Sequence, residues 1–275
     1  YGLRSMNDGI HYTAIEKDTA IVKYSYKTGD KVETILTLSD LGNDDFRGLW
    51  TYEFSDDESK IMLHTNRKKI YRRSFTADFY VYDLEKETFV PVSENGIQQL
   101  ATFSPKADKV AFVRENNLFI KDLESSEEIR ITKDGEFNKI INGAPDWVYE
   151  EEFEFKRAFE WSPDGEKIAF MRFDESNVPL FDMTMYYDLY PENRQWKYPK
   201  AGEDNSIVSV HVYHLDNQKT LKMDVGEETD QYIPRIRWTQ DPGKLCIFRL
   251  NRLQNKLELL FADPANGHSK VIYTE

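Results

Sequence analysis

The chain's 275 residues are 40% hydrophobic and 14% aromatic, enough apolar material to bury a sizeable core as one large domain or two ordinary ones, which excludes intrinsic disorder. Acidic residues outnumber basic ones by 49 to 36, for a formal net charge of -13. That balance argues against nucleic acid or an anionic membrane surface as a partner, since both require clustered Lys and Arg, and NRKKIYRR, Asn66 to Arg73, is the only local exception. No apolar run is long enough to span a membrane.

A repeat organises the chain from its first residues onward. SMNDGIHYTAI from Ser5, FSDDESKIMLH from Phe54, FSPKADKVAFV from Phe103, WSPDGEKIAFM from Trp161 and WTQDPGKLCIF from Trp238 share one plan. A Ser or Thr, preceded by an apolar residue in all copies but the first, leads into a Pro/Asp/Gly turn and then a short strand rich in Val, Ile and Phe. Behind each copy stands a hairpin signal: VKYSYKTGDKVETI, FYVYDLEKETFVPV, LFIKDLESSEEIRI, VHVYHLDNQKTLKM and LLFADPANGHSKVI. Four strands per repeat with scarce helix signals predict an all-β fold, a β-propeller of four-stranded antiparallel blades. About five blades are expected, starting near residues 5, 54, 103, 161 and 238, and the end at VIYTE leaves no strand for closure, so the ring is expected to be larger. A chain that begins at Tyr1 without a charged segment and an apolar one behind it reads as a mature form or part of a longer protein.

Two stretches break the repeat, near residues 138–157 and 174–206. Long insertions in a compact repeat are usually functional loops or lids. The first holds NGAPDWVYEEEFEF. On so acidic a chain a glutamate run is most simply a solvated helix face. Asp146, after Pro145, stands where an N-cap would, so DWVYEEEF can open a short helix with its acids in the first turns, where the helix dipole favours them. Neighbouring helix positions diverge by about 100°, so Glu151 and Glu152 form a wedge if they flank a site at the helix end. Two carboxylates meeting at an angle suit the splayed donors of a primary ammonium. A metal is the competing occupant, but no His or Asp stands at ligand spacing, and no metal or cofactor is expected. Trp147 and Tyr149 read as the brace of the helix, and Glu150 as facing solvent or a structural partner.

Little else carries chemistry. The single Cys246, in KLCIFRL, reads as a small core residue, and no His among His11, His64, His211, His214 and His268 lies in a triad context. No G-x-S-x-G occurs, so a nucleophile elbow is lacking.

DWVYEEE followed by WSPDGEKIAF, NVP and YPKAG at Tyr198 to Gly202 resembles the N-terminal propeller of the dipeptidyl peptidase IV family of prolyl-oligopeptidase-type serine peptidases. YRRSFTADFYVYDL from Tyr71 and FRLNRLQNKLELLFAD from Phe248 resemble that family's segments on either side, in the same order. The resemblance implies a serine exopeptidase that removes N-terminal Xaa-Pro or Xaa-Ala dipeptides. It implies that Glu151 and Glu152 bind the free α-ammonium of the peptide substrate, and that Arg72, with Arg73 adjacent, helps bind the carbonyl of its second residue. The family's triad lies in a C-terminal α/β-hydrolase domain absent from this chain, so this fragment alone is expected to be inactive. A homodimer is a further expected partner state. FEFKRAFEW departs from the family pattern, which leaves the contributions of Phe153 and Glu154 open. The absence of N-x-Ser/Thr sequons and the sparse cysteine point to a secreted or periplasmic bacterial enzyme. Two alternatives stand beside this reading: a non-enzymatic propeller that binds a protein partner, and a related tripeptidyl peptidase.

Overall fold

The computed structural model describes residues 2–275, which form successive antiparallel sheets. The first contains β1 (Arg4–Ser5), β2 (His11–Glu16), β3 (Ala20–Ser25) and β4 (Lys31–Thr37), and the second β5 (Glu53–Phe54), β6 (Lys60–Lys69), β7 (Phe75–Asp83) and β8 (Thr88–Pro91). The third contains β9 (Gln99–Phe103), β10 (Lys109–Arg114), β11 (Asn117–Asp122) and β12 (Glu128–Arg130). In the fourth, β13 (Ile140–Asn142) and β14 (Phe159–Trp161) both pair with β15 (Lys167–Asp174), which continues to β18 (Ile207–His214) and β19 (Lys219–Lys222). A separate hairpin, β16 (Leu180–Met185) with β17 (Glu192–Lys197), leaves this sheet between β15 and β18. The fifth contains β20 (Gln231–Trp238), β21 (Leu245–Asn251), β22 (Leu257–Ala262) and β23 (Ser269–Thr274). This is a β-propeller of four-stranded antiparallel blades. The first strands converge on a centre: Glu53, Ala101, Glu160 and Arg237, from β5, β9, β14 and β20, line one cavity of about 350 Å³.

The repeated Ser explains why each motif turns where it does. Ser162 Oγ donates to Asp164 and accepts from the Lys167 amide at 2.9 Å, while its own amide donates to the Lys167 carbonyl at 2.9 Å. Ser55 and Ser104 make the same bonds with the amides of Lys60 and Lys109, both at 3.0 Å. All three serines are buried, so the hydroxyl replaces water for an amide that the turn leaves unpaired. The residue closing the turn adopts a left-handed conformation, with φ of 71° at Gly165 and 55° at Ala107.

The largest apolar cluster joins the third, fourth and fifth sheets and includes Val113, Leu118, Phe159, Phe173, Val210 and Ile233. Cys246 is not part of it. Strand alternation buries Leu245 and Ile247 and turns the cysteine to the opposite face, where it is partly exposed, a correction to the expected core position.

The edge of the fourth sheet positions the candidate site. β14 covers residues 168–170 of β15 and β13 covers residues 172–174, so one strand position is filled by two segments. Between them the chain leaves the sheet, forms the short helix α1 (Trp147–Glu152) and returns.

Candidate functional site

The helix is held from below by its own first residues. Asp146 is extended at φ -73° and ψ -178°, and its side chain accepts from the Tyr149 amide at 2.9 Å, as an N-cap does. Its other oxygen accepts from Ser206 Oγ at 2.5 Å, which ties the helix to the far end of the second insertion. Burial raises the Asp146 carboxyl above the usual carboxylate range, opposed by these hydrogen bonds. Tyr149 is fully buried: its ring packs against Phe173 at 4.9 Å and Phe153 at 5.1 Å, and its hydroxyl accepts from the Ile233 amide at 3.0 Å. Trp147 packs on Tyr198 at 4.3 Å. Both aromatic residues therefore join α1 to neighbouring elements. Arg235 adds a bond to the Phe153 carbonyl at the helix end.

The three glutamates occupy three environments. Glu150 is 1% exposed, and its Oε1 accepts from the amides of Arg73 at 2.6 Å and Ser74 at 3.0 Å. Its partner is structural: it fastens the turn after β6 onto α1, and that turn carries Arg72. Glu151 receives Arg72 Nη1 at 2.7 Å. Glu152 is exposed and has no side-chain hydrogen bond among the described residues. Arg73 turns away to Glu154 at 2.9 Å, so the two arginines are separated by partner. Glu154 sits at φ 58°, where the chain reverses out of the helix. Among the described residues no group of three or more His, Cys, Asp or Glu is placed to hold a metal ion. Among those residues, likewise, no helix is long and apolar enough to cross a membrane.

Glu175, inside the second insertion, carries no local signal that singles it out. It is buried and lines a cavity of about 270 Å³ beside Tyr71, Pro145 and Trp196. Burial first, and the Asp146 charge second, push its carboxyl up to about 7, against the opposing pull of Lys197. Lys197 itself donates to the carbonyls of Ser176 and Val178, closing the base of the β16–β17 hairpin. The expected loop or lid is thus a regular hairpin whose root packs Trp196 on Tyr71 at 5.2 Å and whose tip exposes Tyr186, Tyr187, Leu189 and Tyr190. Of the histidines, His64 and His211 are held down to about 4, mainly by burial, and stay neutral, while His214 Nε2 lies 2.9 Å from the Pro264 carbonyl oxygen.

Comparison with known proteins shows the family of the chain. Residues 55–275 match the family described as the dipeptidyl peptidase IV (DPP IV) N-terminal region. A probable dipeptidyl-aminopeptidase B of Emericella nidulans is 36% identical over 237 residues, covering 79% of this chain and 26% of that protein. The dipeptidyl-aminopeptidase B of Aspergillus niger is 36% identical over 240 residues, with 80% and 26% covered. The crystal structure of Porphyromonas gingivalis dipeptidyl peptidase 4 superposes with a TM-score of 0.94 at 42% identity, over 100% of this chain and 39% of that one. A putative dipeptidyl aminopeptidase IV from Bacteroides ovatus shares the fold, at a TM-score of 0.71 and 24% identity, over 100% of this chain and 37% of that one. The chain spans about a quarter of the length of the curated relatives it matches. It belongs to the dipeptidyl peptidase IV N-terminal family.

Proposed function

We propose that this chain is the substrate-selecting part of a serine exopeptidase that removes Xaa-Pro or Xaa-Ala dipeptides from peptide N-termini. The relatives' names, dipeptidyl-aminopeptidase and dipeptidyl peptidase, support the reaction class. A C-terminal α/β-hydrolase domain supplies the nucleophile, and the fragment alone is inactive. The observation that carries the reading is the pair Glu151 and Glu152 on a helix anchored by Asp146, Tyr149 and Glu150, with Arg72 on Glu151.

In this reading the substrate's α-ammonium sits between Glu151 and Glu152. The Glu151–Arg72 pair is easily opened, because Arg72 is 68% exposed and such surface pairs contribute only about 0–1 kcal/mol. An arriving ammonium takes over part of Glu151, and Arg72 turns to the carbonyl of the second residue. Fixing the terminus makes the site a ruler, so that the bond two residues on meets the nucleophile. An acetylated terminus brings no charge and is rejected.

In the full-length enzyme, Glu151→Ala or Glu152→Ala should lower kcat/KM for a free-amine Xaa-Pro substrate by more than about tenfold, since a charge-assisted hydrogen bond contributes about 1.5–3 kcal/mol. Near-normal values in both variants would sink the clamp. We also propose that a second copy covers the hairpin tip, where Tyr186, Tyr187, Leu189 and Tyr190 are exposed together. Light scattering should show Leu189→Asp shifting a dimer toward monomer, and an unchanged mass would remove the hairpin from the interface. Secretion or a periplasmic, bacterial setting remains part of this proposal, testable by fractionation of the source cells.

A further inference from the structure

The centre of the propeller holds a second charged cavity, separate from the glutamate pair. It has a volume of about 340 Å³, and four cationic side chains, Arg4, Arg67, Arg73 and Lys156, line it. Glu53 is the one carboxylate in the same lining, on a chain whose net charge is -13. Four cations gathered against the overall charge make a local positive field, strongest at low ionic strength.

The cations are held largely without acids. Arg67 stacks over the Phe75 ring at 4.2 Å and Arg4 over the Tyr52 ring at 5.0 Å. Arg4 reaches only the Thr51 hydroxyl, at 3.3 Å, and Arg73 pairs with Glu154 through Nη2. The Nε–H groups of both Arg4 and Arg73 are buried and have no hydrogen-bond partner among the described residues. Those two donors are closed off from the cavity, so its attraction for an anion rests on the four charges that line it. His64, packed at a tilt against Phe75 and Phe79, is held down to about 4 by burial and by Arg67, and adds aromatic wall rather than charge. Apolar walls beside three guanidinium groups suit a carboxylate on a short hydrocarbon stem, because each planar fork can take both carboxylate oxygens.

We infer that this cavity is a carboxylate-binding site for an acidic group of a peptide lying in the central channel. It includes neither Glu151, Glu152 nor Arg72 and does not depend on the ammonium clamp. A free small dicarboxylic acid would offer the same chemistry, and the test separates the two sources.

The test uses the full-length polypeptide in calorimetric titrations at low ionic strength. The probes are acetyl-Gly-Glu-Glu-Gly-amide, its counterpart acetyl-Gly-Gln-Gln-Gly-amide, and succinate; the blocked termini prevent use of the clamp. The acidic peptide should bind at least about tenfold more tightly than the glutamine peptide, a margin one charge-assisted contact supplies. The R67Q/K156Q double variant should abolish that margin. Both side chains are exposed, so folding should survive and an unchanged Tm should confirm it, and Arg4→Gln gives an independent variant on the buried side. Peptide binding assigns the site to peptides, and binding of succinate alone assigns it to free small acids. Equal binding of the two peptides with no succinate bound, or acid binding unaltered in the double variant and in Arg4→Gln, would overturn the inference.

Discussion

Replacing Glu150 with Ala should release the turn that carries Arg72 while leaving α1 in place. Glu150 accepts two amides, from Arg73 at 2.6 Å and Ser74 at 3.0 Å, and is 1% exposed. Each hydrogen bond to a charged acceptor contributes about 1.5–3 kcal/mol net, and a buried amide left unpaired costs about 1–3 kcal/mol. Arg72 and the end of β6 are exposed, so part of the turn can relax into water. The net loss of local stability should therefore be about 3 kcal/mol, the value of roughly two such bonds at the low end of that range. By the conversion of 1.36 kcal/mol per factor of ten, exchange at the freed amides should accelerate by about 100-fold. Hydrogen–deuterium exchange of fragments covering Tyr71 to Phe75 in the full-length protein measures this directly. Amides of α1 should change little, because Asp146 caps the helix and Tyr149 anchors it independently. Glu150→Gln keeps an acceptor oxygen and should give an increase of no more than about tenfold. Unchanged exchange at Arg73 and Ser74 in the alanine variant would refute the role assigned to Glu150.

Two further outcomes follow from buried polar groups. Burial raises the folded Glu175 carboxyl to about 7, above its ordinary range, so its contribution to stability is full at low pH and is lost as pH rises through about 7. Glu175→Gln should therefore stabilise the protein above pH 7 by about 3 kcal/mol and by nothing near pH 4; denaturant midpoints that shift equally at both pH values would contradict this. Ser162→Ala leaves the Lys167 amide without its acceptor and should cost about 1–3 kcal/mol in chemical denaturation, whereas a loss below a few tenths would show that the repeated Ser is replaceable by water.

The repeat was legible because strand-turn-strand grammar is local: Pro, Asp and Gly set the reversal, and alternating Val, Ile and Phe residues set the buried face. The N-cap at Asp146 was legible for the same reason, since it involves only the next three residues. Cys246 shows the limit, because an apolar neighbourhood in sequence does not say which face of a strand is buried.

Glu150, Glu151 and Glu152 have the same side chain and adjoin one another, yet one is buried under two backbone amides, one meets an arginine and one faces solvent. The sequence by itself determined that a propeller would form, that a capped helix would stand in the long connector before its fourth repeat, and that three carboxylates would fan out from that helix. Only the tertiary structure decided which carboxylate became scaffold. Arg73 and Ser74 lie in another blade, and no local rule says which side chain their amides will meet.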